Sequence, residues 1–282
     1  MADTPSVWFV TGCSMGLGRA LAEAVLASGQ ACVVTARDAA SLDALVRLAP
    51  ERALALPLDI TDHAAIEQAV DAALARFGRI DRLVNNAGYG YYAAVEEGED
   101  AQVRQQFETN VYGPAALIRR VLPHMRAQRH GHIFNVSSVA GLIGNVGAGY
   151  YAASKFALEG LSEALAKEVE EFGIHVTLVE PGPFRTEFQG RSKRVTTTPI
   201  AAYARTAIAR RDQLQASAGS QAGDPARAAA IMLEVAASAA PPLRLVLGKS
   251  GFDRVVAKLE AEVAAIRPLR ALAESADFPA GA

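Results

Sequence analysis

"TGCSMGLGR", at residues 11–19, joins a short apolar run to an alanine-rich segment. The run SVWFVT (6–11) predicts a buried strand, and LGRALAEAVLAS (17–28) predicts an amphipathic helix. The glycines between them allow a tight turn and let the backbone approach a pyrophosphate, which the N-terminus of the helix stabilises. We therefore interpret the turn as a dinucleotide-binding loop with contacts from Gly12, Ser14, Met15, Gly16, Leu17 and Gly18.

The same letters also spell Gly-x-Ser-x-Gly around Ser14, which is the nucleophile elbow of α/β-hydrolases. Such an elbow needs earlier strands and an earlier loop that supplies an oxyanion N–H. Only thirteen residues precede Ser14, so the serine-hydrolase hypothesis is the weaker of the two. Labelling of Ser14 by a fluorophosphonate would support it.

Short β-branched runs alternate with alanine-rich segments along the chain, as in βαβ units on a parallel sheet. Asp62 is a predicted N-cap, and Gly173 is predicted to close the helix before it. The remaining strands are predicted at 31–36, 53–59, 81–86, 132–138, 174–181 and 243–248, and further helices at 41–48, 62–77, 99–125 and 150–171.

We expect one domain over residues 1–282 with two additions. The alternation fails between about 183 and 223, where no clear strand is visible and a mobile lid or pocket wall is expected. An amphipathic helix beyond about residue 250 would cover the pocket, an interface or the sheet of its own subunit.

Composition excludes several classes of protein. Net charge is −2 with both signs interspersed, so no nucleic-acid surface is expected. No signal peptide and no run of about 18 apolar residues is present, so no membrane partner is expected. Two cysteines point to a reducing cytoplasm, and the five histidines lack the spacing of metal ligands.

GYYAASK, at residues 149–155, offers two tyrosines and one lysine. Tyr151 and Lys155 are four residues apart and share a helix face, whereas Tyr150 points away. The pKa of a free phenol is near 10, and a neighbouring ammonium favours the phenolate. We therefore expect Tyr151 to be the acid or base, with its pKa lowered by Lys155, and Tyr150 to pack or line the pocket.

The motifs TGCSMGLG, LDIT, NNAG, Asn110, NVSS, YAASK and PGPFRT resemble, in this order, those of the classical short-chain dehydrogenase/reductase family, over residues 6–190. The resemblance is nearest the branch with steroid and retinol dehydrogenases and bacterial carbonyl reductases. It implies a Rossmann-like doubly wound α/β sandwich, whose seven-stranded parallel sheet has the order 3-2-1-4-5-6-7 with helices on both faces. It also implies an NAD(P)-dependent enzyme that interconverts carbonyls and alcohols.

The resemblance assigns roles to single residues. Tyr151 would be the acid in reduction or the base in oxidation, and Lys155 would bind the nicotinamide ribose. Ser138, thirteen residues before Tyr151, would hold the carbonyl oxygen, and Asn110, within the long fourth helix, would support a water of a proton relay. The further cofactor contacts would be Asp59 and Ile60 at the adenine, Asn86, Ala87 and Gly88 at its ribose, and Pro181, Gly182, Phe184 and Thr186 at the nicotinamide amide.

The end of the second strand, VVTARD, bears on the cofactor. An acidic residue there would favour NAD, but Ala36 takes that position and Arg37 follows. An arginine can pair with a 2′-phosphate, so we expect NADP(H) to be preferred over NAD(H). Two features oppose this: Asp38 follows Arg37, and Met15 stands where a basic residue is common.

Stretches rich in apolar and small residues, GYGYYAAV (88–95), VAGLIGNVGAG (139–149) and PFRTEF (183–188), predict a pocket for a mostly apolar small-molecule ketone, aldehyde or secondary alcohol. A β-ketoacyl-type reductase of the same family is an alternative, disfavoured by the long insert and C-terminus. A non-catalytic NAD(P) sensor is a second alternative that would not need Ser138, Tyr151 and Lys155 together. The family's helical contacts imply a homodimer or homotetramer through the helices at 99–125 and 150–171.

Overall fold

The structure is a computed structural model that describes residues 5–190 and 192–278. Nine short strands occur in these residues; seven of them alternate with helices as the sequence pattern predicts, and two, Gly90–Tyr92 and Lys193–Val195, are not predicted by it. The strands are β1 (Val7–Val10), β2 (Ala31–Ala36), β3 (Ala53–Pro57), β4 (Arg82–Asn85), β5 (Gly90–Tyr92), β6 (Gly131–Val136), β7 (Ile174–Pro181), β8 (Lys193–Val195) and β9 (Arg244–Leu247).

Seven of these strands form one parallel sheet in the order β3-β2-β1-β4-β6-β7-β9. Counted among themselves they run 3-2-1-4-5-6-7, which confirms the predicted order. The order reverses between β1 and β4, and in such sheets a crevice opens there beyond the carboxyl ends of the strands. The glycine loop follows β1 directly and therefore lies at this crevice.

The α-helices of the described residues are α1 (Gly16–Ala27), α2 (Asp43–Leu48), α3 (His63–Phe77), α4 (Asp100–Phe107), α5 (Gly113–Gln128), α6 (Gly149–Val169), α7 (Ala209–Ala216), α8 (Pro225–Ala237), α9 (Lys249–Ile266) and α10 (Arg270–Glu274). Helices α1 and α8 pack on one face of the sheet, and α3, α5 and α6 pack on the other.

Strand β1 divides its side chains between two buried cores, because successive residues of a strand point to opposite faces. Trp8 and Val10 pack into the core shared with α1 and α8, where Met232 of α8 is also buried. Phe9 packs into the core shared with α3, α5 and α6. The predicted alternation of strands and helices therefore produces a doubly wound sandwich, with a core on each face of the sheet.

Two predicted helix ends match the structure. The Asp62 side chain accepts hydrogen bonds from the backbone N–H groups of Ala64 and Ala65, at 2.9 and 3.2 Å, which caps α3. Gly173 follows α6 and a short 3-10 turn, with φ of 68° in the left-handed region. Glycine adopts this conformation at little cost, so the chain can turn there into β7.

The predicted helix at 99–125 is wrong in one respect, because it is not continuous. A π-helical turn, Glu108–Tyr112, separates α4 from α5 and carries Asn110. Pro114 follows this turn and has no N–H to donate to the carbonyl of Asn110, four residues earlier, so the α-helical ladder is broken.

The prediction of no strand between 183 and 223 is also wrong. Strand β8 lies in this insert and pairs in parallel with β5 to form a separate two-stranded sheet, with Gly90 opposite Lys193. Backbone hydrogen bonds of 3.1 Å close both ends of the pair, from Gly90 N to Ser192 O and from Thr196 N to Tyr92 O. A three-residue strand with two cations has no apolar alternation, so the sequence pattern does not reveal it.

Candidate active site

A cavity of about 690 Å³ opens along the carboxyl ends of β1, β4, β6 and β7. Most of the predicted site residues line it, while Gly18 and Asn110 lie behind its wall. The predicted residues that line it are Gly12, Ser14, Met15, Gly16, Leu17, Arg37, Asp59, Ile60, Asn86, Ala87, Gly88, Ser138, Tyr151, Lys155, Pro181, Gly182, Phe184 and Thr186.

The glycine loop is shaped for a group that approaches the backbone closely. Gly12 and Gly16 have φ of 72° and 62°, which favours glycine, and the turn leads into the N-terminus of α1. Gly18 is a packing residue, since a Cβ there would lie 2.5 Å from the Gly12 carbonyl oxygen and 2.4 Å from Asn86 Nδ2. Open backbone N–H groups at a helix N-terminus suit a pyrophosphate, so the loop fits a dinucleotide.

Thr11 holds this loop against the end of β4, a role that the sequence analysis missed. Its Oγ1 accepts hydrogen bonds from the backbone N–H groups of Asn86 and Ala87, at 2.9 and 3.0 Å. In return, Asn86 Nδ2 donates to the carbonyl oxygens of Thr11 (2.8 Å) and Gly12 (3.1 Å). The position of Thr11 directly before the first glycine is the signal that could have identified it.

Arg37, Asp59 and Ile60 line one part of the cavity. Arg37 is exposed, and no hydrogen bond or ion pair from it is found among residues 5–190 and 192–278. The neighbouring Asp38 accepts a 3.1 Å hydrogen bond from Ala40 N and caps a 3-10 turn. Asp38 does not line the cavity, and its carboxylate contacts the backbone at Ala40 instead.

Ser138, Tyr151 and Lys155 meet at another part of the cavity. Ser138 follows β6, and its Oγ accepts a 3.0 Å hydrogen bond from Ala140 N, which leaves its own hydrogen free to donate. Tyr151 and Lys155 lie on one face of α6, and Lys155 Nζ is 5.9 Å from the centre of the Tyr151 ring. Lys155 Nζ donates a 2.8 Å hydrogen bond to the carbonyl oxygen of Val136.

The titration of Tyr151 differs from the sequence prediction. Burial raises the pKa of its phenol above the ordinary value, the nearby Tyr92 raises it further, and the Ser138 hydroxyl lowers it by hydrogen bonding. The expected net lowering of the pKa is not found, because burial is the largest effect on the phenol. Burial also lowers the pKa of Lys155 to about 8, against the effect of Glu159, which raises it.

Asn110 is buried and hydrogen-bonded on both sides of its amide. Its Nδ2 donates to Tyr89 O and Ser154 Oγ, both at 3.0 Å, and its Oδ1 accepts from Tyr89 N at 3.2 Å. A Cβ on Gly88 would lie 3.1 Å from Asn110 Oδ1 and 3.7 Å from Lys155 Nζ. Asn110 thus fixes the backbone after Gly88 and lies across that glycine from Lys155.

Tyr150 packs outside the cavity. Its hydroxyl donates a 2.6 Å hydrogen bond to Val95 O, and its ring stacks on Tyr91 with the centroids 6.3 Å apart. Tyr151 has different neighbours, Tyr92 at 6.3 Å and Phe188 at 5.7 Å between ring centroids, both of which line the cavity. Both residues lie in stretches that were predicted to line the pocket, 88–95 and 183–188, but no local pattern singles out either one.

Neither a metal site nor a membrane-spanning helix is found in the described part of the chain. No group of three or more His, Cys, Asp or Glu is arranged there to hold a metal ion. No helix among the same residues is both long and apolar enough to cross a membrane.

Comparison with known proteins identifies the class. The family model for short chain dehydrogenase matches residues 6–196. An oxidoreductase of Botryotinia fuckeliana is 42% identical over 248 residues, which cover 88% of this chain and 90% of the relative. Retinol dehydrogenase 8 of Bos taurus is 35% identical over 257 residues, covering 86% and 82%. The chain therefore belongs to the short-chain dehydrogenase/reductase family.

Solved structures agree with this assignment. A short-chain dehydrogenase from Streptomyces avermitilis has a TM-score of 0.92 at 42% identity, over 98% of this chain and 100% of that one. A Burkholderia phymatum member solved with NAD has a TM-score of 0.82 at 26% identity (95% and 97% covered). A metagenomic oxidoreductase solved with NADP has 0.69 at 28% (87% and 98%). The protein is an NAD(P)-dependent dehydrogenase/reductase, in a family whose members act on small molecules and are commonly oligomeric.

Proposed function

We propose that the chain is an NADP(H)-dependent oxidoreductase that interconverts a ketone or aldehyde with an alcohol, on a mostly apolar substrate. One observation carries the proposal: Ser138, Tyr151 and Lys155 face the same cavity as the N-terminus of α1. A bound nicotinamide supplies or accepts the hydride. The chain must then hold the carbonyl oxygen and move one proton, and two neighbouring hydroxyl groups can do both.

In this proposal Ser138 donates a hydrogen bond to the carbonyl oxygen and Tyr151 gives that oxygen a proton. Burial favours the neutral phenol, so Tyr151 keeps its proton at neutral pH and is in the form that can act as an acid in reduction. Lys155 stabilises the phenolate that forms and binds the nicotinamide ribose. Asn110 Oδ1 accepts one hydrogen bond, from Tyr89 N, and has a second lone pair for a relay water.

The preference for NADP(H) rests on the end of β2. Arg37 is exposed at the cavity, while Asp38 caps a 3-10 turn and lies outside the lining. An arginine with no carboxylate partner can take a 2′-phosphate, and Asp38, which lies outside the lining, does not occupy the position from which a carboxylate would bind the ribose hydroxyls. The remaining cofactor contacts are proposed as the sequence predicts them, with Asp59 and Ile60 at the adenine and Pro181, Gly182, Phe184 and Thr186 at the nicotinamide.

The substrate is proposed to be mostly apolar because of the cavity wall around Tyr151. Tyr92 and Phe188 flank its ring, and Val146 and Leu214 also line the cavity. The likeness to a retinol dehydrogenase supports an apolar alcohol or carbonyl compound. Several residues of the insert line the cavity, which supports its role as a pocket wall or lid within a single domain: 183, 184, 186–188, 192, 194, 210, 214, 217 and 221.

A homodimer or homotetramer in the cytoplasm is proposed. Exposed apolar side chains, Tyr112 between α4 and α5 and Phe156 on α6, support a subunit contact on these helices. The two cysteines, Cys13 and Cys32, are both free and buried, in keeping with a reducing compartment. Light scattering on the purified protein would measure the assembly.

The test of this function is consumption of NADPH with a panel of aromatic and long-chain ketones and aldehydes. We expect turnover that disappears in Tyr151→Phe. Binding of NADPH without turnover on any member would favour a non-catalytic sensor. Activity confined to β-ketoacyl thioesters would favour the β-ketoacyl-type alternative, and failure to bind either dinucleotide would overturn the proposal.

A further inference from the structure

Three carboxylates surround one guanidinium next to the part of the site that holds Lys155 and Ser138. Arg244 of β9 donates from Nη1 to Glu159 Oε2 at 2.7 Å and to Glu180 Oε1 at 2.5 Å, and its Nη2 pairs with Glu163. Glu159 and Glu180 are 4% and 0% exposed, whereas the side chain of Glu163 is 44% exposed. Two buried carboxylates therefore share one guanidinium, and like charges that share a site favour a state in which one of the two is protonated.

The Ser137 hydroxyl lies close to the far side of this cluster. Glu159 Oε1, Glu180 Oε2 and Ser137 Oγ are buried and have no hydrogen-bond partner of good geometry among the described residues, and the Ser137 hydroxyl is near enough to lower the pKa of the Glu159 carboxyl. A Cβ on Gly141 would lie 2.5 Å from Ser137 Oγ and 2.7 Å from Glu159 Oε1, so these two atoms lie close to the same point. The two carboxyls of Glu159 and Glu180 also face each other, and one proton on either of them would supply a donor between them and reduce their repulsion.

Each member of the cluster is next to a part of the proposed site. Glu159 is one helical turn after Lys155 on α6, Ser137 precedes Ser138, and Glu180 precedes the Pro181–Gly182 turn. Arg244 of β9 joins Glu159 to Glu180, and the Ser137 hydroxyl interacts with Glu159. One buried polar cluster thus lies next to Lys155, Ser138 and the Pro181–Gly182 turn.

We propose that Glu159, Glu180 and Arg244 are positioning residues that hold one shared proton and fix Lys155, Ser138 and the Pro181–Gly182 turn relative to one another. The inference rests on the proposed function. Burial raises the pKa of Glu159 and that of Glu180, the latter to about 7. The groups that face these carboxyls are Arg244 from β9, Glu163 and Lys155 from α6, and Ser137 from the end of β6.

The test is the pH dependence of kcat/KM for wild type, Glu159→Gln and Glu180→Gln, with Glu163→Gln as the control that also loses one contact to Arg244. Glu159→Gln removes the charge that keeps Lys155 protonated, so its alkaline limb moves by about one pH unit to lower pH, about a tenfold loss on that limb. Glu180→Gln mimics the protonated acid, so it stays active at neutral pH and loses the inflection near pH 7. Glu163→Gln follows the wild type.

A second readout does not depend on turnover. The infrared carbonyl band of a protonated carboxyl group should be present in wild type and Glu163→Gln below pH 7, disappear as the pH rises through about 7, and be absent in Glu180→Gln. Arg244→Lys keeps a cation and should retain the band, which covers the case in which a glutamine variant fails to fold. Absence of the band, or identical pH profiles in all variants, would overturn the proposal. Lack of turnover in wild type would overturn only the proposed function.

Discussion

Lys155 donates a 2.8 Å hydrogen bond from Nζ to the carbonyl oxygen of Val136, the last residue of β6. Ser138 lies two residues further along the chain, so this bond ties the helix that carries Tyr151 to the segment that carries the serine. The bond also holds the ammonium 5.9 Å from the centre of the Tyr151 ring. The relative positions of the three groups are thus set by backbone geometry.

Replacement of the two adjacent tyrosines separates chemistry from packing. Tyr151→Phe should lower kcat by at least about a hundredfold, because it removes the proposed acid, with NADPH binding largely kept. Tyr150→Phe loses the hydrogen bond to Val95 O and should cost about 1 kcal/mol of unfolding free energy while most activity remains. Steady-state kinetics and thermal unfolding measure both, and the reverse pattern would contradict the assignment.

The activity should depend on the charge of Lys155. Burial lowers its pKa to about 8, so the ammonium is lost as the pH rises through that value, and kcat/KM of the free enzyme should fall above about pH 8. The free energy of unfolding should change in the opposite direction over this pH range. Between pH 8 and the ordinary lysine pKa of 10.5 the unfolded chain binds more protons than the folded one, so this residue makes unfolding less favourable as the pH rises. A profile that stays flat well above pH 8 would contradict the role.

Arg37 should control the choice of dinucleotide. Arg37→Ala should weaken NADPH binding by about 10- to 100-fold, the equivalent of a charged hydrogen bond of 1.5–3 kcal/mol, and leave NADH binding unchanged. Arg47→Ala is the matched control, because Arg47 is also exposed but lies on α2 outside the cavity lining. Fluorescence titration with both cofactors measures this. Equal losses for NADPH and NADH would remove Arg37 from the 2′-phosphate.

Gly18 and Gly160 form a second matched pair. A Cβ at Gly18 would collide with the Gly12 carbonyl and the Asn86 amide, so Gly18→Ala should destabilise the protein and weaken NADPH binding. Gly160 lies on the exposed face of α6 with nothing within 4 Å of an added Cβ. Gly160→Ala should therefore raise the free energy of unfolding by about 0.5–1 kcal/mol. Equal effects of the two changes would show that the loop can shift to accommodate a side chain.

Features set by local sequence could be predicted, and they include the principal turns. The glycine loop, the cap at Asp62 and the helix face shared by Tyr151 and Lys155 each depend on residues close together in the chain. The strand order followed from the resemblance of ordered motifs, which the fold confirms. The two-sided burial of β1 agrees with the apolar run that precedes the loop.

Features set by distant contacts could not be predicted. The π-helical turn depends on Pro114 and on the bonds of Asn110 to Tyr89 and Ser154, and β8 exists because β5 offers a backbone partner 103 residues away. The pKa of Tyr151 is raised by burial, which spacing along a helix does not reveal. Arg244 meets Glu159 and Glu180 across 85 and 64 residues, with no local pattern to mark them.

The pairing of β8 with β5 has a consequence for engineering of the pocket. Because β5 begins two residues after Gly88, residues 193–195 are paired with the segment that follows the proposed cofactor contacts at residues 86–88. We therefore expect changes at residues 193–195 to affect the binding of both nucleotide and substrate. The segment that starts at Thr196 includes α7, with Arg210 and Leu214 at the cavity, and directly follows the paired strand β8. Mutant libraries that aim at a new substrate range should therefore vary residues of this segment and leave residues 193–195 unchanged.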